Sequence, residues 1–303
     1  MRTVIIYNPR AGQTEVLERE LYAAAGVWIE HGWQVDVYAT IGPGDAMHKA
    51  GHAARNCYDL VIAAGGDGTI NEVINGIAGT RTALATLPLG TMNVWARELG
   101  LPLQLRAAAE AMLTWRVQTV DLGRADGRYF LLMAGVGLDA EITLGVQPAV
   151  KRRFGALAYV LSMMQVALRV RGTRARLLID GKRVKGPILM VVIGNSQLYA
   201  GLFKITHRAS INDGLLDVCV IRGDNVLSAL RHFISILRRS YSHDPEISYY
   251  RARRVSIRSR PTLPVQVDGE AFGQTPMTFE IAPDALRALL PRRLPDNLVM
   301  GNG

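Results

Sequence analysis

Residues 63–77 read AAGGDGTINEVINGI, an apolar run, then Gly65-Gly66-Asp67-Gly68-Thr69, then a stretch with helical periodicity. The preceding DLVIAA predicts a buried strand, and TINEVINGIA predicts a helix that starts near Thr69. Glycines at such a junction let an anion approach the main chain. The free N–H groups and dipole of the helix face the same spot. Thr69 and Asn71 add side-chain hydrogen-bonding groups. The stretch is not a P-loop, because no Gly-Lys-Ser/Thr follows, and GDGTIN lacks the last glycine of Gly-x-Gly-x-x-Gly. Asp67 is electrostatically odd there, since a carboxylate repels bare phosphate. It makes sense if Mg²⁺ lies between them, or if it orients a ligand hydroxyl or a metal-bound water.

Outward from this junction, strands and helices alternate through residues 1–100. TVIIY, WQVDVYAT, DLVIAA and ALATLPL predict strands. The stretch from Thr14 to His31, GDAMHKAGHAAR, TINEVINGIA and TMNVWARELG predict helices. Such alternation specifies a parallel sheet covered by helices on both faces. Ligands of such sheets bind at the carboxyl ends of the strands. The loops that follow those ends, NPRAG, the turn at Thr40, GGDGT and PLGT, are rich in Gly, Pro, Asn and Thr.

After about Asp121 the texture changes. RYFLLMAGVG, RARLLIDGKRV, PILMVVIGN, LLDVCVIR, RRVSIRS, LPVQVDGE and MTFEIA read as strands, interrupted by helical stretches near 151–170 and 224–240. The expectation is an α/β domain over residues 1–120, a mainly antiparallel β-sandwich over 121–292, and a tail over 293–303. Charge divides the same way. Residues 1–120 hold 9 Lys and Arg against 11 Asp and Glu, and the remainder holds 26 against 15. The basic second part faces something anionic: nucleic acid, a membrane surface or a polyphosphate. Two cysteines make no disulfide framework, and no apolar run nears the roughly 20 residues of a membrane span. These features predict a cytoplasmic protein without a signal peptide or spanning segment.

GGDGTINEVINGI, LPLGTMN about 20 residues on, NPRAG near the start and VDGE near the end together resemble the diacylglycerol kinase catalytic family. Soluble bacterial lipid kinases are the nearest match. Sphingosine, ceramide and NAD kinases and phosphofructokinases are more distant. The resemblance spans about residues 1–292. It implies a Rossmann-like first domain of the NAD kinase and phosphofructokinase kind, ATP and Mg²⁺ as cofactors, and transfer of the γ-phosphate to a lipid hydroxyl, diacylglycerol above all. It also implies a first nucleotide-contacting loop at Asn8, Pro9, Arg10, Ala11 and Gly12, with Thr40 at the end of the second strand. The phosphate-contacting turn is Gly66, Asp67, Gly68, Thr69, Ile70, Asn71 and Glu72, and Thr91 is a further nucleotide contact. Glu270 matches the general base, and Asp67 helps to organise the catalytic metal. Ser210, Asp213 and the main chain of Leu215 match a structural magnesium site. Many members read Gly-Thr-x-Asn-Asp where this chain has Gly90-Thr91-Met92-Asn93-Val94.

The residues also support plainer readings. Asp268-Gly269 is a common hairpin turn, and Asn212-Asp213-Gly214 is a good turn without any metal. Asp121, at the expected domain junction, either points into the interdomain cleft or, the plainer reading, ends a strand. His48 and His52 stand four apart on a predicted helix, but no third ligand is evident. Lys151, Arg152 and Arg153 precede an apolar helical stretch that suits either an interfacial helix or a core helix. YRARRVSIRSR alternates like a strand and places several arginines on one face. No helix-turn-helix, zinc-finger or RNA-recognition signature accompanies it, so a lipid substrate at an anionic membrane surface is expected as partner rather than nucleic acid. A sphingoid base, NAD or another acceptor, a non-catalytic nucleotide- or nucleic-acid-binding role and a homodimer stay open.

Overall fold

The structure, a computed structural model, describes residues 1–11, 14–138, 140–141, 172–199, 203–223, 244, 246–295 and 298. In chain order its first elements are β1 (Arg2–Tyr7), α1 (Thr14–Glu30), β2 (Gln34–Ala39), α2 (Asp45–Arg55), β3 (Leu60–Gly65) and α3 (Asp67–Ile77). β4 (Ala83–Pro88), α4 (Val94–Glu98), α5 (Leu105–Met112) and β5 (Arg116–Ala125) come next. Then follow β6 (Arg128–Phe130), β7 (Met133–Gly137), β8 (Thr173–Ile179), β9 (Lys182–Val184), β10 (Pro187–Gly194), β11 (Leu198–Tyr199) and β12 (Phe203–Lys204). The last are β13 (Leu216–Arg222), β14 (Ile247–Ala252), β15 (Arg254–Ser259), β16 (Pro264–Val267), β17 (Glu270–Gln274) and β18 (Met277–Leu290). Two compact units result: Met1–Leu122 with Pro283 onward, and Gly123–Ala282.

The first unit is a parallel sheet in the order β18-β4-β3-β1-β2. β3 and β4 are buried at every residue, as LVIAAG and ALATLP require of strands covered on both faces. β2 lies at the edge and is largely exposed. Leu21 and Trp28 of α1, Ile74 of α3 and Trp95 of α4 are buried against this sheet's helical layers. Each such side chain contributes about 1.5–3 kcal/mol. The chain leaves β1 toward β2, then returns to build β3 and β4 on the other side. The loops after β1 and β3 therefore diverge at a topological switch point, where ligands of open α/β sheets bind.

The second unit is a sandwich of antiparallel strands. One leaf runs β14-β13-β10-β7-β16-β17, and the other joins β9, β8, β15 and the first part of β18. Its buried cluster takes Val136, Val191, Val218 and Val265 from the first leaf and Leu177, Val255, Ile257 and Phe279 from the second.

Several expectations are corrected. The helix after the glycines starts at Asp67, two residues before Thr69. α5 and β5 occupy a stretch left without elements. MTFEIA is only the start of a 14-residue strand, Met277–Leu290, which is interrupted at Asp284 by a left-handed φ of 50°. The structure groups residues from Pro283 on with the first unit, whereas the sequence reading set 283–292 in the second domain and 293–303 in a tail. The helical stretches near 151–170 and 224–240, Gly12 and most of the tail lie outside the described residues.

Candidate active site

The predicted site residues of the first unit gather at the carboxyl ends of its strands. Asn8 follows β1, and its N–H donates to the Ala64 carbonyl at 3.1 Å, which joins the β1 and β3 ends at the switch point. Its Oδ1 accepts the Arg10 N–H at 3.0 Å and shapes the turn with Pro9. Thr40 follows β2, with its N–H donating to the Tyr7 carbonyl at 2.8 Å. Thr91 follows β4 and is exposed. A Cβ on Gly90 would stand 2.5 Å from the Gly66 Cα, so the GGDGT and LPLGT loops press main chain on main chain. Position 90 must be glycine for this approach, and a Cβ on Gly66 would itself stand a tight 3.3 Å from the Gly90 Cα. The Leu89 N–H donates to the Gly65 carbonyl at 3.0 Å, and Asn93 closes its own loop through Gly90 N–H to Oδ1 at 2.8 Å. α3 opens beside this contact with Gly66 as its N-cap and no side chain capping it. Its first turn presents N–H groups without intrahelical acceptors to an anion.

Other members of the predicted turn face elsewhere. The Ile70 N–H is taken by the Gly66 carbonyl at 3.2 Å, and the side chains of Ile70 and Asn71 are buried. Glu72 reaches α2, where its carboxylate accepts the N–H of Gly44 at 2.8 Å and of Ala46 at 3.1 Å. Asp67 does the same for α4: Oδ2 accepts the Val94 N–H at 3.1 Å and Oδ1 the Trp95 N–H at 3.2 Å. The carboxylate that looked out of place beside a phosphate site thus meets the positive end of a helix. Position 94, where many members carry aspartate, supplies its main-chain N–H to this contact and buries its valine side chain.

A cavity of about 500 Å³ opens beside the Gly90 loop. Val16, Leu17, Leu103 and Leu105 give it apolar walls, and Thr91, Asn93, Arg97 and Glu20 give it polar ones. Its volume suits a nucleoside-sized ligand. At the nearby strand end, Tyr7 donates to Glu18 Oε1 at 2.7 Å; that bond and burial push the phenol up to about 12.

In the second unit, Asp268 (φ 46°) and Gly269 (φ 83°) form the turn between β16 and β17. Two left-handed residues make a tight hairpin of the primed type. The Asp268 carboxylate accepts three N–H groups, Leu131 at 2.9 Å, Leu132 at 2.9 Å and Met133 at 3.0 Å. That anchor fixes the hairpin on β7 and holds Glu270 at the first position of β17. Arg128 donates to Glu270 Oε2 at 2.7 Å and lies over the Phe272 ring. The Glu270 side chain stays 44% exposed, so the pair adds only about 0–1 kcal/mol and serves mainly to orient the carboxylate. Sequence reasoning missed Arg128, whose position in ADGR carries no local signal.

Ser210 Oγ donates to Asn212 Oδ1 at 3.0 Å, and Asp213 Oδ1 accepts the Leu215 N–H at 3.0 Å. Hydroxyl, carboxylate and main-chain carbonyl in one turn are the donor types that magnesium takes. The other Asp213 oxygen pairs with Arg251, so a cation entering here competes with a guanidinium. Nearby Asp217 accepts the Arg208 N–H at 3.0 Å, but its Oδ1 is buried without a partner, and burial pushes this carboxyl up to about 6.

Asp121 does not end a strand: it is buried within β5 and accepts the Asp284 N–H at 2.8 Å. His48 and His52 are exposed on α2. Among the described residues no group of three or more His, Cys, Asp or Glu converges on a metal position, and no helix is long and apolar enough to cross a membrane.

Comparison with known proteins places this geometry. The model of the diacylglycerol kinase catalytic domain matches residues 2–125, and that of the YegS C-terminal NAD kinase beta sandwich-like domain matches residues 133–290. The diacylglycerol kinase of Bacillus subtilis (strain 168) is 33% identical over 98% of this chain and 99% of its own. That of Staphylococcus carnosus (strain TM300) is 32% identical over 92% of this chain and 91% of its own. The crystal structure of a diacylglycerol kinase from Bacillus anthracis (strain Sterne) superposes with a TM-score of 0.79 at 26% identity, covering 96% of this chain and 97% of that one. The two family models cover both units and the relatives match along nearly the whole length, and the chain belongs to the diacylglycerol kinase catalytic family, as a kinase.

Proposed function

We propose that the protein is an ATP-dependent lipid kinase that phosphorylates the free hydroxyl of diacylglycerol and so forms phosphatidic acid. The observation that carries this reading is the main-chain contact of Gly66 with Gly90 beside the uncapped start of α3. It leaves N–H groups, and no bulky side chain, where phosphates would lie. Asn8, Thr69 and Thr91 add hydrogen-bonding groups around the cradle, and the cavity lined by Leu17, Leu103 and Arg97 takes the nucleoside. Asp67 and Glu72 act through the scaffold, because each holds the start of a neighbouring helix. Glu270, oriented by Arg128, accepts the proton of the lipid hydroxyl as its oxygen bonds to the γ-phosphorus. The bond to the bridging oxygen breaks and ADP leaves. Positioning and charge neutralisation supply most of such catalysis.

Magnesium, when bound with the nucleotide, neutralises charge on the phosphates. Ser210, Asp213 and the Leu215 carbonyl would hold a second, structural ion. The enzyme meets its lipid as a cytoplasmic protein bound peripherally to the membrane. Incubation with γ-labelled ATP, Mg²⁺ and vesicles that contain dioleoylglycerol, sphingosine or neither tests the reading, with NAD as a soluble acceptor in parallel. Labelled phosphatidic acid is the expected product. Label in a sphingoid phosphate or in NADP would replace the acceptor, and nucleotide binding without turnover would overturn the proposal.

A further inference from the structure

The arginine-rich stretch of residues 250–260 lies outside the chemistry above. β15 pairs antiparallel with β8 so that Arg258 stands opposite Arg176 and Ser256 opposite Leu178. β9 continues the row with Arg183 opposite Leu178. Alternation turns Leu177, Ile179, Val255 and Ile257 into the core and leaves Arg176, Leu178, Arg254 and Arg258 on the outer face. This face holds a groove of about 330 Å³ whose lining includes four arginines, at 176, 183, 254 and 258, against one carboxylate, Asp126.

The charges are not balanced from within. Arg254 reaches Glu280 at 3.3 Å, and Arg124 already holds that carboxylate at 2.8 Å. Among the described residues Arg176, Arg183 and Arg258 make no ion pair. Like charges directly opposite on neighbouring strands destabilise a sheet, so the Arg176–Arg258 pair favours an external anion. Leu178, 40% exposed in their midst, adds an apolar contact. Among the described residues that line the groove none is aromatic, so they offer no stacking platform of the single-strand nucleic-acid kind.

We infer that this outer face of β8, β9 and β15 is the surface by which the protein docks on an anionic lipid bilayer, with the arginines meeting phosphate headgroups. The inference rests on the lipid-kinase reading and names the membrane-contacting element of that enzyme. Each arginine near an acidic leaflet strengthens partitioning about fivefold.

The test is sedimentation of the full-length protein with vesicles of phosphatidylcholine alone or with 30% phosphatidylglycerol, without ATP or lipid acceptor. The wild type pellets with the acidic vesicles only. Arg176→Glu with Arg258→Glu lowers that partitioning at least tenfold, and Arg176→Gln with Arg258→Gln lowers it less. The exposed control Arg19→Glu with Arg55→Glu changes it under threefold. All variants keep the wild-type Tm, because both target side chains point away from the core. Unchanged pelleting of both target variants overturns the inference. So does a wild type that ignores acidic vesicles, or that prefers a duplex oligonucleotide at the same ionic strength. Vesicle binding lost in the variants, from a protein that phosphorylates no lipid, supports the docking face and removes the kinase reading.

Discussion

Gly66 and Gly90 show how one missing carbon sets the chemistry of a site. A methyl on Gly90 would meet the main chain at Gly66 rather than a side chain that can rotate away. Gly90→Ala should therefore cost about 1–3 kcal/mol of stability and weaken ATP binding at least tenfold, read by urea unfolding and calorimetric titration. Glu270 behaves differently, since it is half-exposed and paired only with Arg128 among the described residues. Glu270→Gln should lower kcat by about 10²–10⁴-fold and leave the Kd for ATP within twofold; a variant with undiminished turnover would remove it as the base. His207 offers a pH test. Burial, with the Arg208 charge beside it, lowers its pKa from the usual 6.5. A depressed imidazole leaves the folded state with fewer protons than the unfolded one, so stability is full above about 6.5 and falls as the pH drops below it. His207→Gln should flatten that acid limb in thermal melts between pH 5 and 7.

At the scale of elements, two acidic residues of one motif hold two other helices. Glu72 caps α2 from 28 residues away in sequence, and Asp67 caps α4 from 27. Glu72→Ala should lower stability by about 1 kcal/mol while the Kd for ATP changes less than threefold. A large change in Kd with unaltered stability would show instead that Glu72 serves the nucleotide directly. These contacts also mark the limit of sequence reading. The alternation of strands and helices over residues 1–100, and the loops in which the cradle lies, were legible because periodicity and glycine act locally. The function of each acidic side chain was not, because its acceptor geometry depends on an element folded elsewhere. Asn8, Thr40, Gly66 and Thr91 lie just past the carboxyl ends of β1, β2, β3 and β4. Arg128 and the Asp268 anchor stayed hidden, since neither long-range pairing leaves a spacing to read.

At the scale of the molecule, the chain leaves the first unit along β5 and re-enters it along β18. Leu286, Leu289 and Leu290 are buried, and Arg287 and Ala288 pair with Ala83 and Leu84 of β4. Three buried leucines contribute about 5–9 kcal/mol, comparable with the 5–15 kcal/mol of a whole domain. A chain stopped after residue 282 should lose the cooperative melt of the first unit, followed by tryptophan fluorescence of Trp28 and Trp95. Nothing in the spacing of MTFEIA announces this return, because Arg287 and Ala288 find their partners about 200 residues earlier in the chain, at Ala83 and Leu84. Synthesis must feel the same arrangement. The ribosome makes the amino-terminal portion first, yet the partner of β4 emerges only after Gly123–Ala282 has been translated, a delay of roughly 8–30 s at about 5–20 residues per second. Throughout that interval the nascent chain carries an open, apolar strand edge, and a chaperone or a neighbouring nascent chain has that long to find it.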